Sequence, residues 1–275
     1  MYNLNMRCDI CFDEEKGCKK HCKGIDCKNH LTCHRVYKPT VRITTKCTQS
    51  CSHCCFSCSP KKDTFMSIDM AKDINTFFTN NKVSNVNLMG GEFYCHPEWE
   101  SVLDIIGNGL QRARIVSNGD WAGNAEVSGH VINFLKAHPN FHISVSNDKF
   151  HTNKYVEAAE RLLNNAGVLY NISNGKNSTT NESIVPVGKA SLGMHGIYSM
   201  FGCYCHNPEH KYSFLIDEEG KIYKCSFGVW DFATIDEHKD GSFAERFKFF
   251  NSKFYGVWIN NCRRCVEAYE RIIRN

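Results

Sequence analysis

The sequence predicts an α/β fold in which helices cover a parallel sheet. Short segments rich in β-branched residues alternate with segments that carry an apolar stripe at helical spacing. The links between them are short, and polar or sulfur-containing residues follow the ends of the β-segments. Such alternation is typical of βαβ units. By itself it does not separate a partial barrel from a doubly wound sheet.

The first half of the pattern begins after Pro39. The run 41–44 alternates and predicts a strand, and Ser67 is a suitable N-cap for a helix over 68–79. The run 86–89 predicts the second strand. Pro97 suits the first turn of a helix that continues to about Leu110.

The second half repeats the alternation. Strands are predicted at 114–117, 141–146 and 168–172. Between them, apolar residues at helical spacing over 127–135 and 155–163 predict two helices, and Gly167 is a suitable C-cap for the second. The sheet therefore has five predicted strands before residue 173.

The cysteine content decides which class of site to expect. The chain of 275 residues has 17 cysteines, an odd number, and a net charge of +4. No signal peptide is recognisable in residues 1–22, and no run reaches the roughly 20 apolar residues of a membrane span. We therefore expect a cytoplasmic protein with no membrane partner, whose thiols bind metal rather than form disulfides.

Residues 1–38 form a predicted N-terminal extension rich in cysteine and lysine. Its six cysteines are too closely spaced for an apolar core to lie between them, so a bound metal is the expected source of order. Cys8-x2-Cys11 has metal-ligand spacing, and both zinc and a further iron–sulfur cluster are compatible with it. The basic charge leaves a nucleic acid or an acidic peptide open as a partner.

The loop after the first predicted strand contains the sequence KCTQSCSHC. Its cysteines Cys47, Cys51 and Cys54 have the spacing C-x3-C-x2-C. A cubane iron–sulfur cluster has four irons, so three thiolates leave one iron open for a substrate or cofactor, whereas zinc usually takes four protein ligands. Cys55 and Cys58 follow directly; buried loop thiols are favoured over a second ligand set.

Two further motifs follow at the ends of the next strands. Met89-Gly90-Gly91-Glu92 and Ser117-Asn118-Gly119 stand in that order after the cysteine loop. Together with the cysteines they resemble the radical S-adenosylmethionine (AdoMet) enzymes over about residues 40–200. The resemblance implies a 4Fe–4S cluster that binds AdoMet and a partial (β/α)6 barrel over 39–200.

The resemblance also implies which residues bind AdoMet. The Gly-Gly-Glu motif corresponds to the segment that hydrogen-bonds the methionine amino group, and His53 stands where an aromatic residue meets the adenine. Polar residues at the end of the fourth strand commonly meet the ribose. The predicted cofactor-binding residues are His53, Gly90, Gly91, Glu92, Ser117, Asn118, Ser144, Ser146 and Asp148. His151 is a weaker candidate for substrate contact, and no catalytic residue is assigned.

The C-terminal segment, 201–275, resembles the Twitch extension of the same enzymes. Two β-rich runs around Asp217-Glu218-Glu219-Gly220 predict a hairpin. The resemblance implies a second, auxiliary 4Fe–4S cluster, although four cysteines also suit structural zinc. Its predicted ligands are Cys205, Cys225, Cys262 and Cys265, with Cys203 as an alternative to Cys205.

These features predict an oxidoreductase that cleaves AdoMet reductively and abstracts hydrogen from a substrate carbon. The first hypothesis is oxidative modification of a peptide or protein, by cross-linking or dehydrogenation. The second is modification of a nucleoside, nucleic acid, sugar or other small molecule, and a weak third is a non-catalytic iron–sulfur sensor. Flavodoxin or ferredoxin is the expected electron donor.

Overall fold

A computed structural model describes residues 37–174, 213–223, 231–243 and 245–246. Within these residues, eight strands form one sheet and four helices are longer than a single turn. The strands are β1 Lys38–Arg42, β2 Asn85–Met89, β3 Arg112–Ser117, β4 Phe141–Asn147, β5 Tyr170–Asn174, β6 Ser213–Ile216, β7 Lys221–Tyr223 and β8 Asp231–Thr234. The helices are α1 Ile68–Asn80, α2 Trp99–Gly107, α3 Ala125–Ala137 and α4 Val156–Ala166.

The order of the strands resolves the choice between sheet types. The sheet runs β5-β4-β3-β2-β1-β6-β7-β8, and every neighbouring pair from β5 to β6 is parallel. The chain moves one position in the same direction from β1 to β5, with one helix in each connection. Because such connections are right-handed, all four helices lie on one face. This is the winding of a partial barrel, as expected, and the predicted α/β fold is confirmed.

The predicted helix ends depend on local hydrogen bonds. Ser67 caps α1, since its hydroxyl accepts a bond from the Met70 amide at 3.1 Å. Gly167 ends α4 in the left-handed region with φ of 66°, where glycine pays no Cβ penalty. Both caps were predicted. Helix α2 begins at Trp99, two residues after Pro97, and ends at Gly107 rather than near Leu110.

Alternation within the strands separates two faces. On the helix-covered face, side chains such as Val41, Leu88, Ile115 and Ile143 are at most 1% exposed and belong to the main core. On the other face, Met89, Val116 and Ser146 line a cavity. We call this second face the cavity face. A strand alternates its side chains with period two, so one segment supplies both core and cavity.

The predicted hairpin is formed by β6 and β7, which pair in antiparallel fashion. Strand β6 also pairs in parallel with β1, so the hairpin continues the sheet of the predicted barrel segment. The turn is held by Asp217, whose amide donates to the Lys221 carbonyl at 3.0 Å. Strand β8, which was not predicted, pairs with β7 beyond it. Its short apolar stretch, Phe232-Ala233, gives only a weak sequence signal.

Candidate active site

The loop that follows β1 brings three predicted ligands to one cavity. Cys47, Cys51 and Cys54 line a cavity of about 220 Å³ at the C-terminal ends of the first strands. The loop is closed on itself: the Cys47 amide donates to the Ser59 carbonyl at 3.2 Å, and the Ser59 amide donates to the Thr45 carbonyl at 3.4 Å. These backbone hydrogen bonds join the two ends of the loop and keep the three cysteines on one compact segment.

Two of these sulfur atoms accept hydrogen bonds from backbone amides. The Gln49 amide donates to Cys47 Sγ at 3.5 Å, and the Cys58 amide donates to Cys54 Sγ at 3.3 Å. Burial raises the pKa of the Cys47 thiol to about 12, although the Gln49 amide acts against it. A bound cation is the usual means of deprotonating such thiols, and amide donors to sulfur tune the potential of a cluster.

The Gly-Gly-Glu segment after β2 crosses the cysteine loop in direct backbone contact. The Gly91 amide donates to the Thr44 carbonyl at 2.8 Å, and the Glu92 amide donates to the Lys46 carbonyl at 2.9 Å. A Cβ on Gly91 would lie 1.8 Å from the Lys46 carbonyl oxygen. Gly90 has φ of 145°, which a residue with a side chain rarely adopts. The two glycines therefore allow the two loops to approach each other closely.

Glu92 is the buried acid of the site, with 1% of its surface exposed. Its carboxylate accepts hydrogen bonds from the Ser117 hydroxyl at 2.6 Å and the Asn118 amide at 2.8 Å. Burial nevertheless raises its pKa to about 8, because the two hydrogen bonds only partly offset the loss of water. A cationic group beside this carboxylate would restore its charged form.

A hydrogen-bond network that the sequence did not predict joins three strand ends. Asn118 Nδ2 donates to Thr48 Oγ1 at 2.9 Å, and the Thr48 hydroxyl donates to Asp120 Oδ2 at 2.7 Å. Gln49 Nε2 donates to Asp120 Oδ2 and to Thr152 Oγ1, both at 3.0 Å. The available signals were two polar residues between cysteines and an acid directly after the Asn-Gly motif. Neither signal indicates which distant residue forms the hydrogen bond.

The end of β4 supplies a second acid. Ser146, Asp148 and His151 line the cavity. Asp148 Oδ1 accepts hydrogen bonds from the Phe150 and His151 amides at 2.9 and 3.2 Å, and it lies 2.9 Å from His151 Nδ1. Burial opposes ionisation, but these hydrogen bonds and the nearby imidazole lower the pKa of Asp148 to about 2. The site therefore has one carboxyl group that favours charge and one that resists it.

His53 presents a flat ring in the same cavity. It stacks on Phe150 with ring centroids 4.7 Å apart, and its edge meets His151 at 4.8 Å. Burial lowers the pKa of His53, and its buried Nδ1 has no hydrogen-bond partner among the described residues. Ligand atoms of His53, Asp148 and His151 lie within 4.8 Å of one another. This group would suit a hydrogen-bonding ligand or a metal.

Ser144 lies deeper than Ser146 on β4. It is 1% exposed and, unlike Ser146, is absent from the cavity lining. Its hydroxyl oxygen accepts hydrogen bonds from Arg114 Nη2 and Asn171 Nδ2, both at 2.9 Å. Of the two serines, only Ser146 is positioned to touch a ligand in this cavity.

Two additional cysteines border the cavity. Cys55 is half-buried and Cys58 is 2% exposed, in line with the expected buried loop thiols, and both line the cavity. The hydrogen bond with Cys54 and burial raise the pKa of the Cys58 thiol. The other predicted ligands, Cys8, Cys11, Cys203, Cys205, Cys225, Cys262 and Cys265, lie outside the described residues.

The donor set fits an iron–sulfur cluster with a cationic organic ligand beside it. Three thiols on one loop supply soft ligands for three irons. Glu92 offers a buried carboxylate for a cation, and His53 offers a ring nitrogen that no described residue satisfies. These groups come from different strand ends and line the same cavity.

Comparisons with known proteins agree with this geometry. The chain is 24% identical over 170 residues to YydG of Bacillus subtilis (strain 168), whose description assigns it provisionally to peptide biosynthesis. It is 28% identical over 80 residues to AlbA of the same organism, a biosynthesis protein for the antilisterial bacteriocin subtilosin. No protein-family model matches the chain.

A solved structure, that of BtrN in complex with AdoMet and 2-DOIA, shares the fold. The TM-score is 0.56 at 14% identity, and the match covers 79% of this chain and 86% of BtrN. The match with YydG covers 58% of this chain and 53% of YydG, and the match with AlbA covers 29% and 18%. The chain therefore matches only about half of YydG. The predicted resemblance to radical AdoMet enzymes is confirmed, and the Twitch extension stays a prediction.

Proposed function

We propose that this protein is a radical AdoMet enzyme that modifies a peptide. Cys47, Cys51 and Cys54 would hold a 4Fe–4S cluster, with AdoMet beside it. One observation carries the proposal: the three thiols line the same cavity as the buried Glu92 and Asn118. A sensor cluster has no need of a buried carboxylate next to its open side.

The other residues of the cavity have roles that follow from their chemistry. Glu92, whose pKa is raised by burial, would accept the methionine ammonium group and become charged in doing so. Ser117 and the Asn118 amide hold its carboxylate in place. His53 would stack against the adenine, and Ser146 and Asp148 are acceptors for ribose hydroxyls.

The chain's own contribution is to position the reactants and to exclude water. When bound, the reduced cluster and AdoMet supply a 5′-deoxyadenosyl radical that abstracts a hydrogen atom from substrate. The hydrogen bonds that join the cysteine loop to Asp120 and Thr152 close the strand ends around this position. Such closure keeps stray hydrogen donors from the radical.

A peptide is the proposed substrate because two relatives carry peptide-biosynthesis descriptions. The proposed reaction is oxidative, a cross-link or a dehydrogenation, and it needs an electron acceptor. A second 4Fe–4S cluster on Cys205 or Cys203, Cys225, Cys262 and Cys265 would supply it. Flavodoxin or ferredoxin would reduce the first cluster. Both donors are consistent with the reducing cytoplasm that the free thiols predict.

The first test removes the cluster ligands. The triple Cys47→Ala, Cys51→Ala, Cys54→Ala variant should lose the electron paramagnetic resonance signal of the AdoMet-binding cluster and form no 5′-deoxyadenosine under reduction. Cys95→Ser is the matched control, since Cys95 is half-buried nearby but does not line the cavity. If the triple variant still produces 5′-deoxyadenosine, the assignment is wrong.

The second test separates the cofactors. Cys225→Ala and Cys262→Ala should lower iron content and abolish substrate oxidation while AdoMet cleavage persists. Loss of zinc without loss of iron would instead assign a structural site. A full-length Cys8→Ser, Cys11→Ser variant should lose zinc or iron relative to wild type if the N-terminal extension binds metal.

The third test identifies the substrate class. Wild-type enzyme, AdoMet and reductant are incubated with candidate peptides, and products are analysed by mass spectrometry. A mass loss of two hydrogens in a peptide supports the proposal. The same loss in a nucleoside or sugar, with peptides unchanged, favours the alternative substrate class.

A further inference from the structure

The cavity face carries a cationic cluster below the proposed AdoMet site. Arg112 and Arg114 on β3 and His142 on β4 share this face, and Arg114 is the register partner of His142. None of the strands β1–β5 contains an aspartate or glutamate. These strands therefore contribute basic and neutral side chains, but no acid, to the cavity face.

The two arginines lack ion pairs such as those that neutralise Arg42 on the same face. Arg42 on β1 lies 2.6 Å from Glu218 and 3.8 Å from Asp217. Arg112 and Arg114, by contrast, have no acidic partner among the described residues. A partly buried guanidinium without a counterion is costly.

The guanidinium of Arg114 is already oriented. Its Nη2 donates to the Ser144 hydroxyl at 2.9 Å, and Asn171 holds that hydroxyl from the other side at 2.9 Å. Its Nε is buried and has no hydrogen-bond partner within the part of the chain that the structure describes. Such a group normally pairs with an acceptor, and the arginine fork matches a carboxylate. The pKa of His142 is lowered, mainly by burial and further by the positive charges of Arg112 and Arg114.

The cluster lies next to the lining of the proposed site. Val116 lines the cavity and is the next residue after Arg114 on the same face. Two residues along a strand correspond to about 6.6 Å. A substrate that extends from the AdoMet position along the cavity face, toward the N-terminal ends of the strands, would therefore meet Arg114 before Arg112.

We propose that Arg114, supported by Arg112, binds the side-chain carboxylate of an acidic residue in the peptide substrate. This inference rests on the proposed function for the identity of the substrate, but the anion site itself does not require AdoMet cleavage. Arg114 would donate from Nε, and from the second N–H of the adjacent Nη2, to the two carboxylate oxygens. An acidic residue a short distance from the modified position would then fix the register of the peptide.

The test measures binding to the reconstituted full-length enzyme with AdoMet present. Fluorescein-labelled pentaglutamate amide and pentaglutamine amide are compared by fluorescence anisotropy. Wild type should bind pentaglutamate at least about tenfold more tightly, a difference expected of a charge-assisted pair. Arg114→Gln should remove the preference, Arg112→Gln should reduce it, and Arg114→Lys should retain part of it. The control Arg161→Gln, on the exposed side of α4, should leave it unchanged.

Several outcomes would overturn the inference. They are equal binding of the two peptides by wild type, equal losses in Arg114→Gln and Arg161→Gln, or loss of AdoMet affinity rather than peptide preference in Arg114→Gln. Equally tight binding of pentaglutamine with a free C-terminus would assign the site to a chain terminus instead. Tighter binding of pentathymidylate would assign it to phosphate.

The failure of this inference is distinguishable from failure of the proposed function. An enzyme that forms 5′-deoxyadenosine but does not discriminate between the peptides refutes only the anion site. A protein that discriminates between them but forms no 5′-deoxyadenosine refutes only the proposed chemistry. Arg112→Gln keeps the test informative if Arg114→Gln does not fold, because Arg112 is exposed.

Discussion

The two faces of β1–β5 alternate residue by residue and yet have opposite physical character. Ile115 is 1% exposed under the helices, whereas its neighbour Val116 borders the cavity. The helix-covered face is apolar, and the cavity face carries arginine, asparagine, serine and histidine. Alternate positions of the same strands therefore support stability and ligand binding separately. Substitutions on one face should therefore spare the property that the other face supports.

The largest effect should come from Gly91, where the loops that follow β1 and β2 cross in direct backbone contact. In Gly91→Ala the new Cβ would lie 1.8 Å from the Lys46 carbonyl oxygen, so the two loops must separate. We expect a loss of about 4 kcal/mol or more in the free energy of unfolding and loss of the iron held by Cys47, Cys51 and Cys54. Urea unfolding and iron analysis measure these.

Gly129→Ala is the matched control for that experiment. Gly129 lies in α3, and a Cβ there would meet no atom within 4 Å. Alanine should stabilise the helix by about 0.5–1 kcal/mol. Similar effects of the two substitutions would contradict the loop crossing.

The next largest effect directly compares the two faces. Ile115→Ala should lower the free energy of unfolding by about 3 kcal/mol, because it leaves a cavity in a closed core. Val116→Ala, one residue later, should cost less than about 1 kcal/mol, since its site is already open. Urea unfolding of the two variants gives the difference. Equal costs would mean that the cavity face is packed like the core.

Glu92 should make the stability of the metal-free protein depend on pH. Its folded-state pKa of about 8 is above the usual value of 4.5, so only the unfolded chain ionises readily between them. Stability is full below about pH 4.5 and falls as pH rises toward 8, by about 2 kcal/mol between pH 5 and pH 7.

Glu92→Gln should flatten this part of the pH profile, whereas Glu160→Gln, an exposed control on α4, should not. The measurement is the difference in slope between wild type and each variant, from unfolding curves at several pH values. A wild-type slope that persists in Glu92→Gln would assign the pH dependence to another group.

The smallest effect should come from Gln49. Gln49→Ala removes hydrogen bonds to Asp120 and Thr152, which should cost about 1–2 kcal/mol. Iron binding should persist, because the thiols are unchanged. The exposed Gln111→Ala is the control. Thermal unfolding of the iron-loaded protein gives the Tm of each variant. Equal shifts in Tm for Gln49→Ala and Gln111→Ala would show that the network does not support the loop.

Local patterns were sufficient to predict most of the elements. The Ser67 and Gly167 caps depend on atoms within a few residues of each other, and the alternation of apolar residues appears directly in the sequence. The three motifs were likewise found by type, spacing and order. Because parallel strands meet at one edge, their placement around one cavity could also be expected.

Contacts between distant segments could not be predicted in this way. Gly91 is required because its backbone crosses Lys46, 45 positions away, and Gln49 meets Thr152 across 103 positions. The position of β6 beside β1 is visible only in the sheet. The structure likewise shows that Ser146 borders the cavity, whereas Ser144 is buried and accepts a hydrogen bond from Arg114. The elements and the chemical groups of the site could thus be read from residue types and spacing. Which groups meet depends on the folded chain, since hydrogen bonds and close packing require proximity in space rather than along the chain.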